Sequence, residues 1–138
     1  GEFIEAFVGA DAFQLDAFAA ERGIPSLDIL HSDIQGYEVE MLEGGQAFLG
    51  SHGADYVFIS THSDSLHASV VDKLKAWGYR IEVSSSCDTH TTSGDGFVLA
   101  TSPKVEPLFE GFSPLGRIDI LRAKPERLIR SIHSIGES

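Results

Sequence analysis

Leu27-Asp-Ile-Leu-His-Ser-Asp-Ile34 is a short, mostly apolar run that ends in polar residues and is followed by Gln35-Gly36. A run of this length and composition is typical of a strand, and Gln35-Gly36 predicts a tight turn. Beyond the turn, apolar residues and glycines recur three and four apart between Glu38 and Leu49, which predicts a helix. The stretch therefore predicts a strand, a turn and a helix in immediate succession.

The same succession recurs on both sides of this stretch. The run 55–62 is continuously apolar before its polar end, as in strands buried on both faces of a parallel sheet, and Ser63, Asp64 or Ser65 can cap the helix that follows. Further elements are predicted as a strand at 2–8, a helix from Leu15 to the stop at Gly23, strands at 79–83 and 96–101, and a short basic helix at 125–132.

Strands that alternate with helices indicate an α/β fold built from right-handed crossovers. We expect a mostly parallel sheet that ends in an antiparallel C-terminal hairpin formed by 79–83 and 96–101. The regular pattern ends near Pro103, so the chain divides into a domain at 1–102 and a C-terminal extension at 103–138.

Charge and composition restrict the partners. The 138 residues carry a net charge of −11, which repels phosphate backbones and anionic headgroups, and no apolar run has the length of a membrane span. We therefore expect a cytoplasmic protein that binds neither nucleic acid nor membrane. Residues 117–138 hold five basic and three acidic side chains, net +2, which leaves −13 on residues 1–116. This tail is either a solvated helix face or a segment that docks onto an acidic surface.

Polar residues are concentrated where two predicted strands end. His31, Asp33, Gln35 and Glu38 follow the first strand, and His62 and Asp64 follow the second. Ligands bind at the carboxyl ends of strands in open α/β sheets, so we expect the two groups to be neighbours in a binding site. Helix capping is the simpler alternative for each acidic residue.

Three kinds of chemistry remain open for these groups. His62 beside Asp33 would make a general base whose tautomer is fixed by the carboxylate. His31, Asp33 and His62 could instead hold a divalent metal, although their spacing matches no metal motif. Cys87 and His90 could form a nucleophile pair, although no oxyanion hole is indicated. No glycine-rich phosphate-binding motif is present.

The segment 30–45, Leu-His-Ser-Asp-Ile-Gln-Gly-Tyr-Glu-Val-Glu-Met-Leu-Glu-Gly-Gly, resembles the corresponding segment of FkbM-type methyltransferases. Flanking similarity extends over roughly residues 2–101 and includes Gln14-Leu-Asp-Ala-Phe18, 55–62, Trp77-Gly-Tyr79 and Asp95-Gly-Phe97. The resemblance implies a Rossmann-like fold that uses S-adenosylmethionine to methylate a hydroxyl of a saccharide or natural product.

The strand-end positions and the resemblance together predict site roles. Asp33 and His62 are the expected catalytic pair, whereas His31, Gln35, Glu38 and Asp64 are expected to bind substrate or cofactor, with no metal. In family terms the chain begins near the third strand, so the glycine-rich donor turn is missing and we expect weak or no activity from this chain alone. Asp11 could border the adenine or lie in a loop turn.

Two rival functions follow from the same residues. The chain could be a non-catalytic module that pairs with another chain, including a second copy of itself, through an open sheet edge. It could also be a small metal-dependent hydrolase.

Overall fold

The computed structural model of the chain describes residues 1–8, 12–109 and 114–135, with side chains as far as residue 133. The helices and strands within these ranges are, in chain order, α1 (Leu15–Arg22), β1 (Leu27–Ser32), α2 (Glu38–Gly44), α3 (Gln46–Gly50), β2 (Ala54–Thr61), α4 (Asp64–Ala76), β3 (Arg80–Ser85), β4 (Gly96–Thr101), α5 (Arg117–Arg122) and α6 (Pro125–Ile135). The predicted α/β class is confirmed.

The four strands form one sheet in the order β1-β2-β4-β3. β1 and β2 are parallel, whereas β4 lies between β2 and β3 and is antiparallel to both. The predicted antiparallel hairpin is therefore confirmed. The prediction of a mostly parallel sheet holds only for strand direction, because β1, β2 and β3 run the same way. By pairing the described sheet is mostly antiparallel, since β1–β2 is its one parallel pair. Because β4 runs backwards, its first residue lies at the edge where β1, β2 and β3 end.

The core lies on one face of the sheet. Val57 and Ile59 of β2 and Val98 of β4 are fully buried there, in one cluster with side chains from α1 to α4. The opposite face carries Ile29, His31, Tyr56, Phe58, Phe97 and Leu99, which together are called the open face below. These side chains lie outside the core cluster and are half-buried or exposed. Beside them the same face carries the buried Thr101, whose hydroxyl donates to the Glu82 carboxylate at 2.7 Å. The prediction that β2 is buried on both faces is wrong for the described residues.

Two predicted elements differ in the structure. Residues 2–7 are not a strand, and Val8 makes an isolated bridge to Phe13, because no sheet edge pairs with this segment. The single helix predicted over 38–49 is split at Gly45, where α1 approaches so closely that a Cβ would lie 2.9 Å from Cδ2 of Leu15. The split lets α1 and α3 share a contact: the Asp16 carboxylate accepts hydrogen bonds from the Ala47 and Phe48 amides of α3.

The remaining predictions have mixed outcomes. Ser63 caps α4 by accepting a hydrogen bond from the Leu66 amide at 3.2 Å, as its position predicted. α5 was not predicted, and α6 extends the predicted basic helix to Ile135. Asp11 lies outside the described residues. The domain boundary at 102/103 stays a prediction.

Candidate active site

Glu38, the first residue of α2, is fixed by the turn that precedes it. Gln35 and Gly36 have φ angles of 54° and 104°, so the chain reverses through the left-handed region and enters the helix. The reversal points the Gly36 amide at Oε1 of Glu38, 2.9 Å away. Glu38 is fully buried, and burying a carboxylate is costly unless hydrogen bonds compensate. The turn thus supplies one of the bonds that keep this charge inside the protein.

His62 supplies the second bond. It follows the last residue of β2, and its Nδ1 lies 2.6 Å from Oε1 of Glu38. A carboxylate that already accepts from Gly36 is an acceptor here too, so Nδ1 carries the proton and donates it to Glu38. This bond fixes both the ring orientation and the tautomer of His62.

The other ring nitrogen of His62 points to a more open region. Nε2 lies 3.3 Å from Oδ1 of Asp33 and 3.8 Å from Oδ1 of Asp95. Neither contact is aligned as a hydrogen bond, so Nε2 is buried without such a partner among the described residues. The Asp33 and Asp95 side chains are 46% and 52% exposed, against 14% for His62. The imidazole therefore connects a buried carboxylate to two solvent-accessible ones.

Asp95 is held in place by the loop between β3 and β4. Its carbonyl accepts hydrogen bonds from the hydroxyls of Thr91 and Ser93, at 2.8 and 2.7 Å. Cys87 ties the same loop to the sheet, because its thiol donates to the Thr61 carbonyl at 3.0 Å and accepts from the Gly96 amide at 3.2 Å. The loop thereby brings Asp95 to the edge where β2 ends.

The structure brings together three of the six site residues expected from the sequence: Asp33, Glu38 and His62. Glu38 was expected to bind a ligand; the structure buries it fully, and ligand binding by Glu38 stays a prediction. Asp95, which was not among the expected residues, joins the cluster. Its position follows from the antiparallel β4, whose start lies at the carboxyl edge, and that rule would have identified it.

The other three expected residues lie apart from the cluster contacts. The His31 ring packs against Phe58 with centroids 5.5 Å apart, and Gln35 is an exposed residue of the turn. Asp64 accepts a hydrogen bond from the Asp88 amide at 3.1 Å and so anchors the β3–β4 loop. Ligand binding by these three residues stays a prediction.

The suggested nucleophile pair of Cys87 and His90 is wrong. Nδ1 of His90 lies 3.0 Å from the Ser85 hydroxyl and Nε2 lies 3.1 Å from the Pro114 carbonyl. His90 therefore joins the loop to the C-terminal segment, and the Cys87 thiol makes the backbone contacts described above.

A second buried histidine, His67 of α4, was missed by the sequence analysis. Its Nδ1 lies 2.9 Å from the Thr61 hydroxyl and its Nε2 lies 2.8 Å from the Ser84 hydroxyl, so it links α4 to β2 and β3. Burial lowers the pKa of His67 below 6.5, and nearby His90 adds to this effect, whereas Asp64 opposes it. His67 is therefore a neutral structural link, a role that its helical spacing alone does not reveal.

The described residues of the cluster do not form a metal centre. No group of three or more His, Cys, Asp or Glu side chains among them is arranged so that it could hold a metal ion, so the metal-dependent hydrolase has no support there. A cleft of about 470 Å³ lies between α1 and α3, away from His62, and its Asp16 carboxylate is already engaged by α3. This cleft is therefore separate from the cluster around His62.

No helix among the described residues has both the length and the apolar character required to cross a bilayer.

Comparison with known proteins places this geometry in a family. The model of the methyltransferase FkbM domain matches residues 4–81, which is more than half of the chain and includes Asp33, Glu38 and His62. No curated protein and no solved structure matches the chain. The resemblance in segment 30–45 is thus confirmed, and the chain belongs to the methyltransferase FkbM domain family.

Proposed function

We propose that this domain contributes the proton-accepting part of an S-adenosylmethionine-dependent O-methylation, on a partial Rossmann-like scaffold. The acceptor is a hydroxyl of a small molecule, such as a saccharide or natural product. The observation that carries the proposal is the position of His62, which is oriented by buried Glu38 on one side and faces Asp33 and Asp95 on the other. The methyl group comes from S-adenosylmethionine.

The proton chemistry follows from the tautomer. With Nδ1–H bound to Glu38, the free nitrogen of His62 is Nε2, which is itself buried and faces the half-exposed Asp33 and Asp95. S-adenosylmethionine would supply the methyl group when bound and leave as S-adenosylhomocysteine after its S–CH3 bond breaks. His62 would take the proton of the acceptor hydroxyl at Nε2, and the positive charge that forms on the ring would be stabilised by the carboxylates of Asp33 and Glu38. Glu38 acts as a positioning residue, because it is buried and reaches the reaction only through His62.

Methyl transfer from tritiated S-adenosylmethionine tests this proposal. The acceptors are a panel of uncharged methyl and nitrophenyl glycosides, with binding of the donor measured in parallel by calorimetry. We expect slow transfer that falls at least about tenfold in His62→Gln, as for loss of a general base. His52→Gln is the matched control, because His52 bonds the Trp77 carbonyl at the far end of α4 and its loss should leave transfer unchanged.

Two outcomes would refute the proposal. One is transfer that is equally fast in His62→Gln. The other is a protein that neither binds the donor nor methylates any member of the panel.

A non-catalytic pairing module is the second candidate, and one observation favours it. β1 pairs with one neighbour, β2, in the described sheet, and Ile29 on this edge strand is 66% exposed. A strand edge with an exposed isoleucine can accept another strand. The discriminating variant is Ile29→Lys, which should abolish edge pairing and leave methyl transfer unchanged.

A further inference from the structure

The open face of the sheet has the composition of a buried surface. Tyr56 and Phe58 alternate along β2 with the fully buried Val57 and Ile59, so the strand is apolar on both sides. Phe58 stacks on Phe97 of β4, with ring centroids 5.6 Å apart. Sheets that contain parallel pairs are usually covered by helices on both faces. The residues of the open face therefore suit a helix that the described part of one chain does not place there.

A helix with a matching surface occurs in the same chain. In α6 the side chains of Leu128, Ile129 and Ile132 share one side at spacings of one, three and four residues, which we call the α6 stripe. Ile129 and Ile132 are 53% and 67% exposed, so the stripe is open to solvent. Arg127 and Arg130 lie on the other side of the helix. A helix of this kind requires an apolar surface to cover its stripe.

Charge identifies the surface that fits. A basic amphipathic helix can also bind anionic membranes, but residues 1–116 carry a net charge of −13 and would repel such a surface. The same acidic residues attract the tail, whose net charge is +2. The six side chains of the open face include no carboxylate, and the neighbouring Glu82 carboxylate is buried and paired with Arg80 at 2.7 Å. The half-exposed Asp33 and Asp95 lie near one end of the open face. The apolar stripe and the basic side of α6 are thus complementary to this sheet and its rim.

We propose that the open face binds the α6 stripe of a second copy of this chain. Because each copy carries both surfaces, two copies related by a two-fold axis can exchange their α6 helices and bury both stripes and both open faces. This proposal does not depend on methyl transfer.

Sedimentation equilibrium over a wide concentration range tests the exchange. We expect a dimer whose dissociation constant rises at least about tenfold in the double variant Ile129→Asp/Ile132→Asp, because each dimer would force charges into apolar contacts. The matched control is Leu121→Asp in α5, which changes an apolar side chain that is 75% exposed and lies outside the stripe. We expect the control to dimerise as the unaltered protein does. Circular dichroism establishes that each variant is folded.

Disulfide trapping locates the contact independently. Under mild oxidation, Tyr56→Cys/Ile132→Cys should form a covalent dimer, and Tyr56→Cys/Leu121→Cys should not. Three results would overturn the proposal: a protein that is monomeric at every concentration, a dimer that is unaffected by the double aspartate variant, or equal trapping by both cysteine pairs. The second result would favour pairing through the β1 edge, and the first would be expected if α6 covered the open face of its own chain.

Discussion

Removal of the Glu38 carboxylate is the most informative perturbation of the cluster. Glu38 accepts two hydrogen bonds, from Gly36 at 2.9 Å and from His62 at 2.6 Å, and its other oxygen is buried without a hydrogen-bond partner among the described residues. Hydrogen bonds to a charged group contribute about 1.5–3 kcal/mol, against about 0.5–1.5 kcal/mol for neutral ones. Glu38→Gln keeps the shape and loses the charge, so we expect the free energy of unfolding to fall by about 1–2 kcal/mol.

Glu38→Ala should have a larger effect. It leaves the Gly36 amide and the Nδ1–H of His62 without their acceptor inside the protein, and each buried donor left unsatisfied costs about 1–3 kcal/mol, so we expect a loss of about 2–6 kcal/mol. Urea unfolding measures both variants. Glu40→Gln, two residues along α2 and exposed, is the control and should change stability by less than about 0.5 kcal/mol.

The tautomer of His62 provides a second measurement that a general loss of stability would not alter. Nitrogen-15 NMR should show Nδ1 protonated in the neutral ring of the unaltered protein, and a mixture of tautomers in Glu38→Ala. The reasoning fails if both Glu38 variants match Glu40→Gln in stability, or if the neutral ring carries its proton on Nε2 when Glu38 is present.

Two further predictions concern the frame around the site. Burial lowers the pKa of His67 below 6.5, so below that pH the unfolded state binds more protons than the folded state does. The free energy of unfolding should therefore decrease as the pH falls. His67→Gln should reduce this decrease in urea titrations between about pH 6.5 and 5. A steeper decrease in the variant would contradict the assignment. The Tyr79 hydroxyl is buried and donates to the Ala54 carbonyl at 3.0 Å. Tyr79→Phe should therefore lower the free energy of unfolding by about 1 kcal/mol. An unchanged urea midpoint would show that this hydrogen bond contributes nothing to stability.

The sequence was sufficient to place Asp33 and His62 together, because the argument used only strand order. Each follows a predicted strand, and parallel neighbours end at the same edge of a sheet. The sequence did not distinguish a residue that contacts a ligand from a residue that orients another side chain. Glu38 has the same spacing from β1 in either role. Its full burial depends on the tertiary packing around the start of α2, which composition does not encode.

The wrong predictions for residues 2–7 and for β2 share a physical cause. Residues 2–7 alternate as a strand does, but alternation reports a preference for an extended backbone and not the presence of a partner. The apolar run in β2 likewise predicted burial on both faces, although the described helices α1 to α4 join the cluster on one. In both cases the local pattern was read correctly, and what failed was the assumption that another segment would complete it.

The insertion of β4 between β2 and β3 determines the chemical character of the site. Two parallel strands alone would bring Asp33 to His62 as a single carboxylate beside Nε2. Because β4 starts at the carboxyl edge, with Gly96 opposite Thr61, the residue before it is placed beside the residue after β2, which brings Asp95 within 3.8 Å of Nε2. A slip of one residue in this pairing would turn the side chains of β4 to the opposite face and bring Val98 out of the core. The core packing of β4 and the position of Asp95 are therefore fixed by the same register.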